Sequence, residues 1–289
     1  MDRWLCSQHS GTDGRLVIIS TDVHAAAERL ERAAVTGIAC APVRDILGTD
    51  DLEIAYLVQR SVIDRRVSAG ASITGHKIGL TSQAVQRQLG VHQPDFGMLL
   101  SDMDVSALEY VPSDRLLQPK IEAEIALRLG EDLDTGDLGP SQVRAAVDAA
   151  CAALEIVDSR ITAWDIAITD TIADNGSSGL YVLSSHWVGL DACEPRDVTM
   201  RMYDGDVQVC EGTGAACLGD PLTALAWLAR TTRGLGHPLR AGQIVLSGAL
   251  GPMITPLPGT TIRAEISGLG SVIARFPPPV QRNSDETSA

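Results

Sequence analysis

Aromatic residues are scarce. Phe, Tyr and Trp make up 3% of 289 residues, with only two phenylalanines. The core must therefore be built from aliphatic side chains and alanine. Positive charge is also in short supply: 23 Lys and Arg stand against 37 Asp and Glu, a net charge of -14. That balance excludes a broad basic surface for nucleic acid or anionic membrane. No apolar run reaches the ~18 residues of a membrane span. Residues 1 to 20 lack the basic start, long apolar segment and small-residue cleavage site of a secretory signal, so the expected location is the cytoplasm. Six cysteines (Cys6, Cys40, Cys151, Cys193, Cys210, Cys217) show no CxxC spacing. They read as reduced, mostly buried thiols rather than zinc ligands or disulfides. Gly212–Gly219 lacks the GxxxxGK[ST] order, and no dinucleotide fingerprint sits in a strand–turn–helix context.

What is present is an ordinary globular composition, 45% hydrophobic and 21% charged. Residues 1–20 read as a flexible lead-in and residues 277–289, proline-rich then polar, as a disordered tail. Between them, residues 21–276 form one expected domain, with a helical part over 21–70. Its first helix runs from a cap at Ser20 or Thr21 to Thr36, where Gly37 stops it. The second runs from near Thr49 or Asp50 to Ser68, ended by Gly70. A strand follows at Ser72–Leu80, then a short helix from Ser82 to Leu89–Gly90. Strands are expected near 181–183, 198–203, 207–211, 243–247, 261–266 and 271–276. Asp204–Gly205 is a hairpin signal, and Pro221 opens a helix to Thr232.

One stretch organises the rest, Gln118-Pro-Lys-Ile-Glu-Ala-Glu-Ile-Ala-Leu127. Side chains alternate along a strand, so Glu122 and Glu124 share one face and Ile121, Ala123 and Ile125 the other. Taken alone this is most simply a strand with one solvated face. The other possibility is a divalent cation, which turns the repulsion between two neighbouring carboxylates into attraction. A third acid tips the reading toward metal. Glu155 lies inside the apolar run Leu154-Glu-Ile-Val157, and an unpaired buried carboxylate is costly. Ser141–Ala153 is expected to be a helix. A strand–helix–strand path would then return Glu155 beside Glu122 and Glu124.

Other residues leave their alternatives open. Lys77 lies between Gly75 and Gly79, where backbone can approach another group closely. It fits either a snorkelling surface lysine or a partner for an anionic ligand. His76, of opposite strand parity, is placed at the surface. Asp95 follows Pro94 and fits ordinary turn chemistry. Ile161–Gly179 reads as a polar loop that either binds a ligand or faces solvent.

Six stretches, in order and without large gaps over residues 21–276, resemble a known family. They are Gly75-His-Lys-Ile-Gly-Leu-Thr81, Gln88-Leu-Gly-Val-His-Gln-Pro-Asp-Phe-Gly97, Gln118-Pro-Lys-Ile-Glu-Ala-Glu124, Ala153-Leu-Glu-Ile-Val-Asp-Ser-Arg160, Ala173-Asp-Asn-Gly-Ser-Ser-Gly179 and Leu246-Ser-Gly-Ala-Leu-Gly-Pro-Met253. Together they are similar to the 2-keto-4-pentenoate hydratases, in the hydratase/decarboxylase branch of the fumarylacetoacetate hydrolase superfamily. The resemblance implies a mixed α/β (α+β) fold, a β-sheet roll with a smaller helical N-terminal part. It implies Mg2+ or Mn2+ on Glu122, Glu124 and Glu155, with Lys77 and Asp95 catalytic and Ser177 and Ser247 near the substrate. It also implies a homo-oligomer, with possible association with a pathway enzyme. The reaction would be ketonisation of a short 2-hydroxy-2,4-dienoate and then addition of water at C4, in aromatic-compound breakdown. The same machinery would serve decarboxylation of a 4-oxalocrotonate. Hydrolysis of a diketo acid needs a water-activating base, and neither His76 nor His92 is readily placed in that role. A non-catalytic partner subunit would not need the intact set of Glu122, Glu124, Glu155, Lys77 and Asp95.

Overall fold

The computed structural model describes residues 13–82, 86 and 93–279, with side chains from residue 21 onward. The expected helix from Ser82 to Gly90, His92, and the outer parts of both termini fall largely outside the described residues.

Two sheets form the body. The larger contains β1 (Ile73–Gly79), β2 (Asp95–Leu100), β3 (Pro119–Leu129), β4 (Val147–Asp158), β5 (Ser178–Leu183) and β8 (Ile244–Leu246), in the order β2-β1-β8-β3-β4-β5. Only the β1–β8 pairing is parallel among these neighbours. The smaller sheet contains β6 (Thr199–Asp204), β7 (Val207–Thr213), β9 (Thr261–Ile266) and β10 (Gly270–Arg275), in the order β10-β9-β6-β7. Strands β9 and β10 pack against β4. The aliphatic core expected from the composition lies there, with Ile121, Ile125, Leu127, Leu154, Ile262 and Ala264 all buried. Three of the few aromatics meet beside β2. Phe96 stacks on Tyr56 at 4.8 Å between centroids and meets the edge of Trp227 at 6.5 Å.

Helices α1 (Asp13–Thr36), α2 (Arg44–Leu47) and α3 (Leu52–Ser68) precede the sheets. The first begins at Asp13 rather than near Thr21. Its end at Thr36 is as expected, with Gly37 at φ 67 and its N–H donating to the Ala33 carbonyl at 3.0 Å. Asp51 caps α3 by accepting from the Ile54 N–H at 3.1 Å. These helices form a second apolar cluster: Ala26, Leu30, Ala55 and Val58 pack with Ile168 and Ile172.

Three expectations are corrected. The helix expected over Ser141–Ala153 stops early. Helix α4 covers Pro140–Ala146 only, and Val147–Ala153 is already strand β4. Strand β4 is buried on both faces, which removes the period-two polarity by which strands are recognised. Alanine, small enough for either conformation, then gives no contrary signal. In consequence β3 and β4 are antiparallel, with Glu122 directly opposite Glu155. Second, 161–179 is not an open loop. It contains helix α5 (Ile168–Ala173) and a turn at Asn175–Ser177, both buried. Third, His76 is buried, because both faces of β1 are covered. The remaining helix, α6 (Pro221–Gly234), starts at the proline that signals it.

Candidate active site

The pairing of β3 with β4 brings three carboxylates together. Oxygens of Glu122, Glu124 and Glu155 lie within 4.8 Å of one another. Glu124 and Glu155 are buried, and Glu122 is partly exposed. Glu124 Oε2 accepts from the Gly248 N–H at 2.8 Å. Its Oε1 and both oxygens of Glu155 have no hydrogen-bond partner among the described residues. Buried carboxylate oxygens left in this state are destabilising. An all-oxygen set of this kind, with hydrogen-bonding capacity unspent, fits a hard divalent cation.

Burial dominates the electrostatics. It raises the pKa of all three acids. Glu155 is pushed up to about 7 despite the pull of Lys77. Glu124 is held well above the usual carboxylate range by burial, then by Glu155 and Glu122. Glu122 is raised by burial, with Lys77 opposing. Lys77 Nζ is 3.5 Å from Glu155 Oε2, at the long end of ion-pair contact, and both side chains are nearly inaccessible. Burial disfavours the Lys77 ammonium, but Glu155, Asp95, Glu122 and Glu124 outweigh it and keep the charge on. The snorkelling alternative for Lys77 is therefore excluded.

Asp95 opens β2 and is buried. Its Oδ2 accepts from the Thr171 hydroxyl at 3.1 Å, and its Oδ1 has no partner among the described residues. Burial raises its pKa against the pull of Lys77 and Thr171. Gly79, paired with Asp95 across β1 and β2, leaves the space that Oδ1 occupies. A Cβ there would be 2.1 Å from Asp95 Oδ1 and 3.3 Å from Lys77 Nζ. The close approach suggested by the glycines around Lys77 is thus real.

The two serines arrive from separate elements. Gly176 packs against Lys77, a Cβ on it meeting Lys77 Cδ at 3.3 Å. The next residue, Ser177, has φ 53 and a buried Oγ without a partner among the described residues. Ser247 follows β8 and is buried, its N–H donating to the Ile125 carbonyl at 3.0 Å and its own carbonyl accepting from Cys217 Sγ at 2.7 Å. It places Gly248 against Glu124.

Sequence reasoning missed Thr171, Gln59 and Asn175. Asn175 Oδ1 accepts from the Met98 N–H at 2.7 Å, and its Nδ2 donates to the Met98 carbonyl at 2.9 Å. This pair locks the 175–177 turn onto β2. For Thr171 and Asn175 the signals were the density of polar residues in Asp170–Ser178 flanked by apolar residues and, for Asn175, the Ala173–Gly179 motif; Gln59, on α3, carried none.

Comparisons with known proteins identify the family. Residues 83–276 match the model of the fumarylacetoacetate (FAA) hydrolase C-terminal family. A TodF product hydratase from Pseudomonas putida is 52% identical over 88% of this chain and 95% of its own length. A 2-keto-4-pentenoate hydratase from Paraburkholderia xenovorans is 47% identical over 87% and 93%. Among solved structures, 4-oxalocrotonate decarboxylase from Pseudomonas putida G7, complexed with magnesium and adipate, superposes with a TM-score of 0.85. It is 31% identical and covers 92% of this chain and 99% of its own. The chain therefore belongs to the fumarylacetoacetate hydrolase family, in its group of 2-keto-4-pentenoate hydratases.

Proposed function

We propose that the protein is a metal-dependent hydratase, a carbon–oxygen lyase, that adds water to a short 2-hydroxy-2,4-dienoate to give a 4-hydroxy-2-oxo acid. The observation that carries this reading is the cluster of three acids, with Glu124 Oε1 and both Glu155 oxygens lacking a hydrogen-bond partner among the described residues, beside a charged lysine, in a chain 46–52% identical to several proteins named as such hydratases. Glu122, Glu124 and Glu155 would hold Mg2+ or Mn2+. The bound ion would supply Lewis acidity toward the substrate's carboxylate and 2-oxygen.

The remaining chemistry falls to the side chains. Three carboxylates exceed the charge of one dication by one, and Lys77 offsets the excess and orients the substrate carboxylate. Ketonisation moves the proton of the 2-hydroxyl to C5. Hydration then adds the water oxygen at C4 and places the water's proton on C3. Both halves take a proton from oxygen and return one to carbon, so one carboxylate can serve both. Asp95 is that carboxylate, working through its partnerless Oδ1. Burial raises its pKa and so makes it a better proton carrier. Ser177 and Ser247 line the substrate side.

We further infer a homo-oligomer acting in the cytoplasm, in breakdown of aromatic compounds, with possible association with a pathway enzyme. No described helix is long and apolar enough to cross a membrane. The test is the decay of diene ultraviolet absorbance of 2-hydroxypenta-2,4-dienoate with chelator-stripped protein, before and after Mg2+ or Mn2+, with the product identified by mass. Metal-dependent decay with gain of one water is the expected result. The solved decarboxylase favours one second reading. Carbon dioxide release from 4-oxalocrotonate, with no hydration, would replace the first reading by that one.

A further inference from the structure

Thr171 donates to Asp95 from a helix that is fixed at both ends. At the start of α5, Asp170 accepts from the Arg44 N–H at 2.8 Å, from Arg44 Nη1 at 2.6 Å and from the Ala167 N–H at 2.9 Å. Just beyond its end, Asp174 accepts from Arg160 Nε at 2.5 Å and from the Arg160 N–H at 3.0 Å. Isolated, a six-residue helix would be unstable. Here two ion pairs and the apolar faces of α1 and α3 hold it.

A third tie is more specific. Gln59, on α3 and 1% exposed, donates from Nε2 to the Phe96 carbonyl at 2.9 Å and to the Ile172 carbonyl at 3.0 Å. Phe96 follows Asp95, and Ile172 follows Thr171. One side-chain amide therefore sets the spacing of the two backbones that carry the Asp95–Thr171 contact. Phe96 is held on its own side by Tyr56 and Trp227.

The two oxygens of Asp95 are consequently unlike. Oδ2 is engaged by a hydroxyl, and Oδ1 occupies the gap left by Gly79, beside Lys77. A carboxylate free to rotate would present either oxygen, and proton transfer demands a defined direction as well as reach. We propose that Thr171 is a positioning residue for Asp95, with Gln59 fixing its distance, so that Oδ1 alone exchanges protons with substrate and water. Thr171 keeps its own proton throughout. Asp95 takes one from the adding water as the C4–O bond forms, gives it to C3, and ends the turnover ionised. This rests on the hydratase reading with Asp95 as proton carrier.

The experiment measures kcat and KM for 2-hydroxypenta-2,4-dienoate at saturating Mg2+, with Mg2+ affinity measured separately. Thr171→Val is expected to lower kcat about tenfold or more, the scale of one charge-assisted hydrogen bond. KM and Mg2+ affinity should stay within about twofold, since neither depends on that bond. Thr171→Ser, which retains the hydroxyl, should recover most of the rate. Gln59→Met should reproduce part of the kcat loss from a residue that touches neither Asp95 nor substrate. In an Asp95→Asn background, Thr171→Val should add little, because coupled residues are non-additive. If Thr171→Val fails to fold, the Ser variant and the Gln59 variant carry the test. Wild-type kcat in Thr171→Val, a Ser variant as impaired as Val, or a loss confined to KM would overturn the proposal. Full activity in Asp95→Asn would instead overturn the underlying reading, and the two failures are thereby distinct.

Discussion

Replacing Lys77 with methionine removes the cation that pairs with Glu155 beside Glu122, Glu124 and Asp95 while keeping most of the side-chain volume. The effect should be large and should depend on metal. At 3.5 Å from Glu155 Oε2, Coulomb's law with an effective dielectric constant of ~20 gives about 5 kcal/mol for the pair. Neither partner is exposed enough for solvent screening to reduce this. Part is recovered because the ammonium no longer has to be desolvated. Part is recovered because Glu155, already pushed up to about 7, takes up a proton once its counter-charge is gone. A net loss of about 3 kcal/mol at pH 8 is expected, at the low end for breaking a buried pair. In a chain of this size that is roughly 6 °C in Tm. The assay is thermal unfolding at pH 8 in a chelator and in saturating Mg2+. In chelator the variant should melt well below wild type. In Mg2+ the gap should narrow, because the dication then neutralises the acids, yet hydration should remain severely impaired. A variant as stable as wild type in chelator at pH 8 would refute the electrostatic account of Lys77.

Three further outcomes follow from the same geometry. Glu155 has a folded pKa raised from 4.5 to about 7, so the stability it contributes is present below pH 4.5 and is lost as pH rises through about 7. The stabilisation by Mg2+ relative to chelator, read from thermal unfolding, should therefore widen from pH 5.5 to 8 by about 2 kcal/mol. His76, with a pKa lowered to about 4 by burial and by His237, acts on both curves alike, and a difference that stays constant with pH would contradict the assignment. Glu124→Gln should weaken Mn2+ binding, read by calorimetry, by more than about 100-fold, and Asp95→Asn should leave it near wild type while abolishing most turnover; equal metal affinity in both would remove Glu124 from the ligand set. Gly79→Ala would put a Cβ 2.1 Å from Asp95 Oδ1 and should reduce kcat by about 100-fold. Gly205→Ala, at φ 57 in the β6–β7 turn with nothing within 4 Å, should cost about 1 kcal/mol of stability and leave kcat alone. Similar kcat values in the two alanine variants would argue against the Asp95 assignment.

The acids themselves were legible in the sequence because strand parity is a local property. Period-two alternation placed Glu122 and Glu124 on one face, and Glu155 stood out as a charge within an apolar run. Their meeting was expected by the wrong route. Residues 147–153 are nearly all small and apolar, a composition compatible with a helix, and only the packing of β3, β5 and the smaller sheet around them selects a strand. Parity failed for His76 in a different way. It assigns a side chain to a face, but whether that face meets solvent depends on what covers β1, and both faces are covered.

The segment Asp170–Ser178 shows why the rest of the site was harder to read. Three of its acid or amide residues look like those of a solvated loop, yet each is buried and bonded to a distant partner. Asp170 meets Arg44, Asp174 meets Arg160, and Asn175 meets the backbone of Met98. Thr171 meets Asp95, 76 residues away in sequence. Turn propensity carries no information about such pairings. Burial of this many polar groups is tolerable only when nearly every one is satisfied. The oxygens left over then become informative, because the surrounding network shows that partners were available in this region. Among the described residues these are Asp95 Oδ1, Glu124 Oε1, both oxygens of Glu155, and the hydroxyls of Thr169, Ser177 and Ser178. The carboxylates among them, Asp95, Glu124 and Glu155, all act on the Lys77 ammonium, and Ser177 follows Gly176, which packs against the Lys77 side chain. The clustering of partnerless carboxylate oxygens about one buried ammonium is the arrangement that the proposed cation and oxygen-rich substrate would complete.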